Sequence, residues 1–267
     1  MTLSAASPDL ALALNGFPGV KKVQLRGRNA AISNAYETVW LPGATYARLS
    51  SATALEVVSS TANDAAAGTG ARTVVVESVL ASGAVSTETV TLNGTTAVAL
   101  VATTTIAVNR FYVATVGSGA SAAGTIDCRT VSGSTIKSQI ITTADILGRN
   151  LATDFIYTIP TGYTGVLKTV EFSATGVTGD LTCVVEVTTS DGITFNAGAG
   201  KSSLYVTGFN GAMGKVHFGV GQVIPALAQI ELRALVSAGA GDLVAMADLF
   251  LIDANFNHLG GGQTFLT

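Results

Sequence analysis

A chain of 267 residues with 14 Lys and Arg, 17 Asp and Glu and a net charge of −3 has length for one large or two modest domains. Only 12% of its residues are charged, against about 25% in an average soluble protein, so its surface is largely Thr, Ser, Gly, Asn and Ala, expected to be covered in part by copies or neighbours. No basic run exceeds Lys21 and Lys22, which excludes the electrostatic footprint of a nucleic-acid binder.

Residues 1–40 read as an extended N-terminal arm. The stretch "SPDLALALNGFPGVKKV" contains Pro8, Pro18, Gly16 and Gly19. Leu10, Leu12, Leu14 and Phe17 have no periodic partner within the segment and are expected to bury against a neighbouring subunit or another particle protein. "LALAL" is too short for a signal-peptide core and no basic n-region precedes it.

Helical signals are nearly absent. Short turns are expected at 9–15 and 143–150, and everything else reads as short strands between Gly, Asn, Asp and Ser clusters. In a first β domain, 41–150, strands are expected at 54–59, 72–80, 87–92 and 96–101. Asn93 and Gly94 between the last two predict a hairpin. Val90, Val98 and Leu100 fall on one face only if the loop is odd and Val90 pairs with Thr96. The uncharged window 89–109 contains seven Thr, which suits paired strands rather than a membrane helix.

Gly68, Thr69 and Gly70 raise the possibility of a phosphate cradle. Such a loop needs a helix N-terminus after it, so that N–H groups and the helix dipole converge on the anion. Here "ARTVVVE" follows, and three consecutive Val argue for a strand. Gly117, Gly119 and Gly124 are followed by "TIDCRTV" and fail the same test. Both stretches read as turns.

A second β domain occupies 151–267. "FIYTIP", "GVLKTVEFSA" and "LTCVVEVTT" are strands. In "AQIELRALV", Ile230, Leu232, Ala234 and Val236 should point inward, and Gln229, Glu231 and Arg233 outward. "DLVAMADLFLI" is apolar on both faces, as a central strand would be. The fold class expected is all-β: two β-sandwich, jelly-roll-like domains preceded by the arm.

Chemistry finds little purchase. His217 and His258 are isolated from each other and from Cys128 and Cys183, and no zinc-ligand spacing exists. His217 is expected to be structural and His258 a solvated tail residue. The cysteines read as buried free thiols. No G-x-S-x-G elbow is present. Carboxylates at Glu37, Glu88, Asp127, Asp145, Asp154, Glu171, Asp180, Glu186, Asp191, Glu231 and Asp248 could meet in space as glycosidase acids do, but no spacing selects two. No catalytic, cofactor-binding or metal site is expected.

The segments "RGRNAAISNAYETVW", "LEVVSSTANDAAAGTGARTVVVE", "STETVTLNGTTAV" and "VNRFYVATVGSGASAAGTI" resemble a family of virion proteins of tailed bacteriophages. "YTIPTGYTGVLKTVEFS" with "IPALAQIELRALV" is similar to the β-sandwich tail of those proteins. The resemblance implies a non-enzymatic structural protein in the virion, assembled in the host cytoplasm. A capsid decoration or cement protein is the first expectation, self-associated as a trimer and touching the major capsid protein or other virion proteins, with no nucleic-acid or membrane partner. The alternatives are a neck, tail or baseplate protein, or a host-surface carbohydrate-binding module using Tyr163, Tyr205 and Phe209.

Overall fold

A computed structural model describes residues 19–142, 150–177, 179–188, 201–209 and 213–255, and all regular structure among them is strand. In chain order the strands are β1 (Val20–Ile32), β2 (Glu37–Thr38), β3 (Leu55–Ser59), β4 (Ala71–Leu80), β5 (Val85–Thr91), β6 (Val98–Ala99), β7 (Thr105–Val116), β8 (Ile126–Thr130) and β9 (Ile136–Ile140). They continue as β10 (Ile156–Thr158), β11 (Tyr163–Thr175), β12 (Leu181–Thr188), β13 (Lys201–Phe209), β14 (Met213–Ile224), β15 (Gln229–Val236) and β16 (Gly241–Asp253). The chain is therefore all-β.

One sandwich pairs a sheet ordered β1-β16-β11-β14 with a sheet ordered β10-β15-β12-β13. Side chains alternate across a strand, and the inward sets meet in one core. β16 contributes Leu243, Ala245, Ala247, Leu249 and Leu251, β12 contributes Leu181, Cys183, Val185 and Val187, and β15 contributes Ile230, Leu232, Ala234 and Val236. The second sandwich packs β5-β4-β7 against β6-β3-β8-β9 around Leu55, Val57, Val74, Val76, Phe111 and Ile126.

The second sandwich is inserted into the first. β2 covers Arg233 and Ala234 of β15, the chain then leaves, and β10 returns to cover Gln229 to Glu231 of the same strand. Asn109 of β7 locks the return: its side chain donates to Thr158 O and accepts from Thr158 N, both at 2.8 Å, replacing a ladder step.

Several expectations change. Residues 20–32 are not arm: β1 pairs with β16 from Val20 to Ile32, with a bulge after Asn29. The inward face of β1 carries Gly27 and Asn29 among its buried positions, which hides its alternation. Gly is required at 27 because a Cβ would lie 2.3 Å from Val39 O. The hairpin at Asn93 and Gly94 is also absent. β5 pairs with β4, while β6 pairs with β3 in the facing sheet, so 93–96 is a crossover closed by Thr96 N–H to Asn93 O at 3.1 Å. Val90, Val98 and Leu100 still share the core, brought there by two facing sheets rather than by register. The strand expected at 96–101 shrinks to Val98–Ala99. The turn at 9–15 and most of that at 143–150 lie outside the described residues.

Candidate functional site at the junction of the two sandwiches

The glycine-rich stretches assemble around an internal anion. Asp64 is fully buried. Its Oδ1 accepts from Ala71 N at 2.7 Å and Ala123 N at 2.8 Å, and its Oδ2 from Ser59 Oγ at 2.7 Å and Gly124 N at 2.9 Å. Converging backbone N–H groups make an anion-binding concavity, and here the chain supplies the anion itself. The two glycine runs meet across it, with Gly117 N to Gly70 O and Gly119 N to Thr69 O, each at 2.7 Å. A Cβ on Gly70 would lie 2.1 Å from Asp64 Oδ1, and one on Gly117 would lie 2.2 Å from Gly68 O. These glycines allow backbone to approach backbone. Asp64 is absent from the carboxylates singled out in the sequence, because a lone Asp between small residues gives no signal.

Among the described residues, two of the carboxylates come together. Glu186 of β12 and Glu231 of β15 are register partners. Each is held by its own arginine: Arg48 Nη2 reaches Glu231 Oε2 at 3.0 Å and Arg233 Nη1 reaches Glu186 Oε1 at 3.3 Å. Thr38 Oγ1 also donates to Glu231. Glu231, expected to point outward, is 1% exposed because the 36–48 segment folds over that face. Through Thr38 and Arg48 it ties the segment leading into the insertion to β15.

The remaining carboxylates are dispersed. Glu88 accepts from the amides of Val101 and Ala102, Asp127 from Gln139, and Glu37 from Ser33 and Asn29. Asp248 pairs with Lys22 and Glu171 with Lys215. The Asp180 amide, not its carboxylate, makes the contact with Ser237, donating to Ser237 Oγ at 2.8 Å. Asp145 and Asp191 lie outside the described residues. His217 is an exposed residue of β14 opposite Thr169; His258 lies outside the described residues. Cys128 and Cys183 are buried free thiols in different cores, and burial raises both, Cys183 to about 12. Among the described residues no group of three or more His, Cys, Asp or Glu could hold a metal ion.

Two ionisable groups sit at the junction itself. Lys137 of β9 is 3% exposed and donates to Ala47 O, and burial pulls its ammonium down to about 8. Next to it, Ser138 donates to Asp154 Oδ2, while Asp154 Oδ1 is buried without a partner among the described residues. Burial pushes the Asp154 carboxyl up to about 7, against the opposing hydrogen bond from Ser138. Trp40 and Tyr46 stack edge to face at 5.0 Å beside Ile156.

Asp154 also lines a groove of about 700 Å³ between the two sandwiches. β1 contributes six successive residues, 21–26, and the insertion contributes Glu77, Val85, Asn109 and Arg110. Lys21 Nζ donates to Tyr163 Oη at 2.7 Å and lies 4.8 Å from its ring centre, so that aromatic is occupied. The side chains of Tyr205 and Phe209 lie outside the description.

The class that fold and site define is an all-β protein of packed sheets with a groove between its two sandwiches. No family model matches the chain, and no curated protein matches it. Among solved structures, a chain of infectious bursal disease virus Gt strain is 13% identical over 94% of this chain and 79% of its own, with a TM-score of 0.26. A chain of the infectious bursal disease virus VP2 subviral particle is 10% identical over 92% and 81%, with a TM-score of 0.19. Likeness at that level carries no argument about this chain.

Proposed function

We propose that the chain is a non-enzymatic structural component of a virus particle. The observation that carries this reading is the route of the chain through the first sandwich. Its sheets are ordered β1-β16-β11-β14 and β10-β15-β12-β13, with β2 and β10 sharing one edge position. Counting that shared position once leaves eight strands in the order of a jelly roll, an architecture used by capsid proteins, lectins and cupins. Architecture alone leaves function open, and the sparse charge favours the first use: 12% charged residues suit surfaces that meet copies. A lectin-like use calls for exposed aromatic platforms, and among the described residues Tyr36 is the one large exposed aromatic.

Within that reading, the sequence resemblance favours a decoration or cement protein of a tailed phage capsid, self-associated and seated on the major capsid protein. Quantifying the chain in purified particles tests it. A molar amount approaching that of the major capsid protein is the expected result. A few per cent of that amount moves the chain to neck, tail or baseplate, and absence from particles ends the virion reading.

A further inference from the structure

Strand β1 uses one of its two edges. Gly19 O accepts from Asp253 N, at the end of β16, at 2.8 Å, whereas Arg28 N donates the other way, to Thr153 O, at 3.2 Å. Backbone groups alternate sides along an antiparallel strand, so odd residues face β16 and even residues face away. Lys22, Gln24 and Arg26 therefore hold N–H and C=O toward the open side, where none has a backbone partner among the described residues. That open side is the groove. A strand seen from a face presents alternate residues, and this groove is lined by six successive ones.

An unpaired edge is a template for another strand, and strand addition is an established mode of peptide recognition. We propose that the groove takes, as an added strand, residues 9–17 of a second copy of this chain. The sequence "LALAL" at 10–14 places Leu on one side and Ala on the other when extended. Its length of about 17 Å equals that of residues 22–26. The groove offers the half-buried Val23 and Leu151 and the exposed Val85 to the Leu side. Its cations, Lys21, Lys22, Arg26 and Arg110, outnumber Glu77 and Asp154, and Asp9 is the one charged residue of 1–18.

The local turn favours a second copy over the same chain. Gly19 has φ +80° and follows Pro18, the Pro-Gly signature of a type II turn, whose twist splays a two-residue hairpin instead of continuing it. Eighteen residues reach about 60 Å when extended, well beyond the radius of gyration of about 18 Å expected for a compact chain of this length. The inference does not rest on the particle reading, because arm exchange can join copies in any assembly.

Amide hydrogen exchange on the full-length protein, with sedimentation in parallel, tests it. Protection at Lys22, Gln24 and Arg26 should rise with protein concentration together with mass. Leu12→Asp should lower that protection at least tenfold and reduce the mass, leaving the amides of Val74 and Leu232 unchanged as a check on the fold. A synthetic peptide of residues 7–17 should restore protection in Leu12→Asp without restoring mass. Protection independent of concentration, free exchange at all concentrations, or a Leu12→Asp protein indistinguishable from wild type would each overturn the proposal, whatever the particle stoichiometry shows.

Discussion

Asp64 Oδ1 occupies the position a side chain on Gly70 would need: a Cβ there would lie 2.1 Å away. The two residues are thus complementary, one supplying an anion and the other making room for it. Gly70→Ala should force the carboxylate off Ala71 N and Ala123 N, and Asp64→Ala should leave three amides without their acceptor, at about 1–3 kcal/mol for each buried one. Urea midpoints check this. Both single variants should fall well below wild type, and the double variant should fall by less than their sum, since the two changes disrupt one network. Simple additivity would mean that the two residues act independently.

Arg48 and Glu231 form an ion pair whose side chains are 5% and 2% exposed. Removing one partner from a buried pair strands the other, so Arg48→Met should cost about 3–5 kcal/mol. Adding Glu231→Leu should recover much of the loss, because two well-packed apolar groups can replace a buried pair with little change. A double variant no more stable than Arg48→Met would show that Glu231 serves Thr38 more than Arg48.

Asp154 sets a pH signature. Its folded carboxyl, pushed up to about 7 from 3.8, holds a proton that the unfolded chain has lost. The folded state therefore binds more protons between about pH 4 and 7, and this group's contribution to stability falls as pH rises through that window. Asp154→Asn keeps an oxygen for Ser138 and removes the titration. Denaturation midpoints for Asp154→Asn should exceed wild type at pH 8 and converge with it at pH 4. Parallel pH profiles would count against the assignment.

Gly94 has φ +60° and lies where a Cβ would come within 2.9 Å of Ala62 Cα. Gly94→Val should cost about 1–2 kcal/mol from backbone handedness, with the Ala62 contact adding to it. Gly94→Asn tolerates the φ better but meets the same Cα, so it too should melt below wild type. Unchanged melting temperatures for both would refute this account of the crossover.

Cys128 and Cys183 are buried in separate cores. Both should resist a thiol reagent in the native state and react together on unfolding, with electrophoretic mobility unaffected by reductant. Reaction of either at the rate of a free thiol in native protein would place it at a surface.

Strand chemistry was legible along most of the chain, because the side-chain period of two is local. The alternation of Ile230, Leu232, Ala234 and Val236 and the three Val at 74–76 state their faces without reference to anything distant. What they could not state is partnership. Asn93 and Gly94 carry a hairpin signature, yet the strands they join belong to facing sheets, and Gly27 and Asn29 hide β1 because their reasons for being inside, Val39 O and strand β2, come from elsewhere in the chain. The same holds for charge. Asp64, Glu231, Lys137 and Asp154 look like ordinary surface residues in sequence, and their burial follows from loops and an inserted sandwich closing over them. Local pattern encodes which way a side chain points; contacts between residues far apart in the chain determine what it meets there.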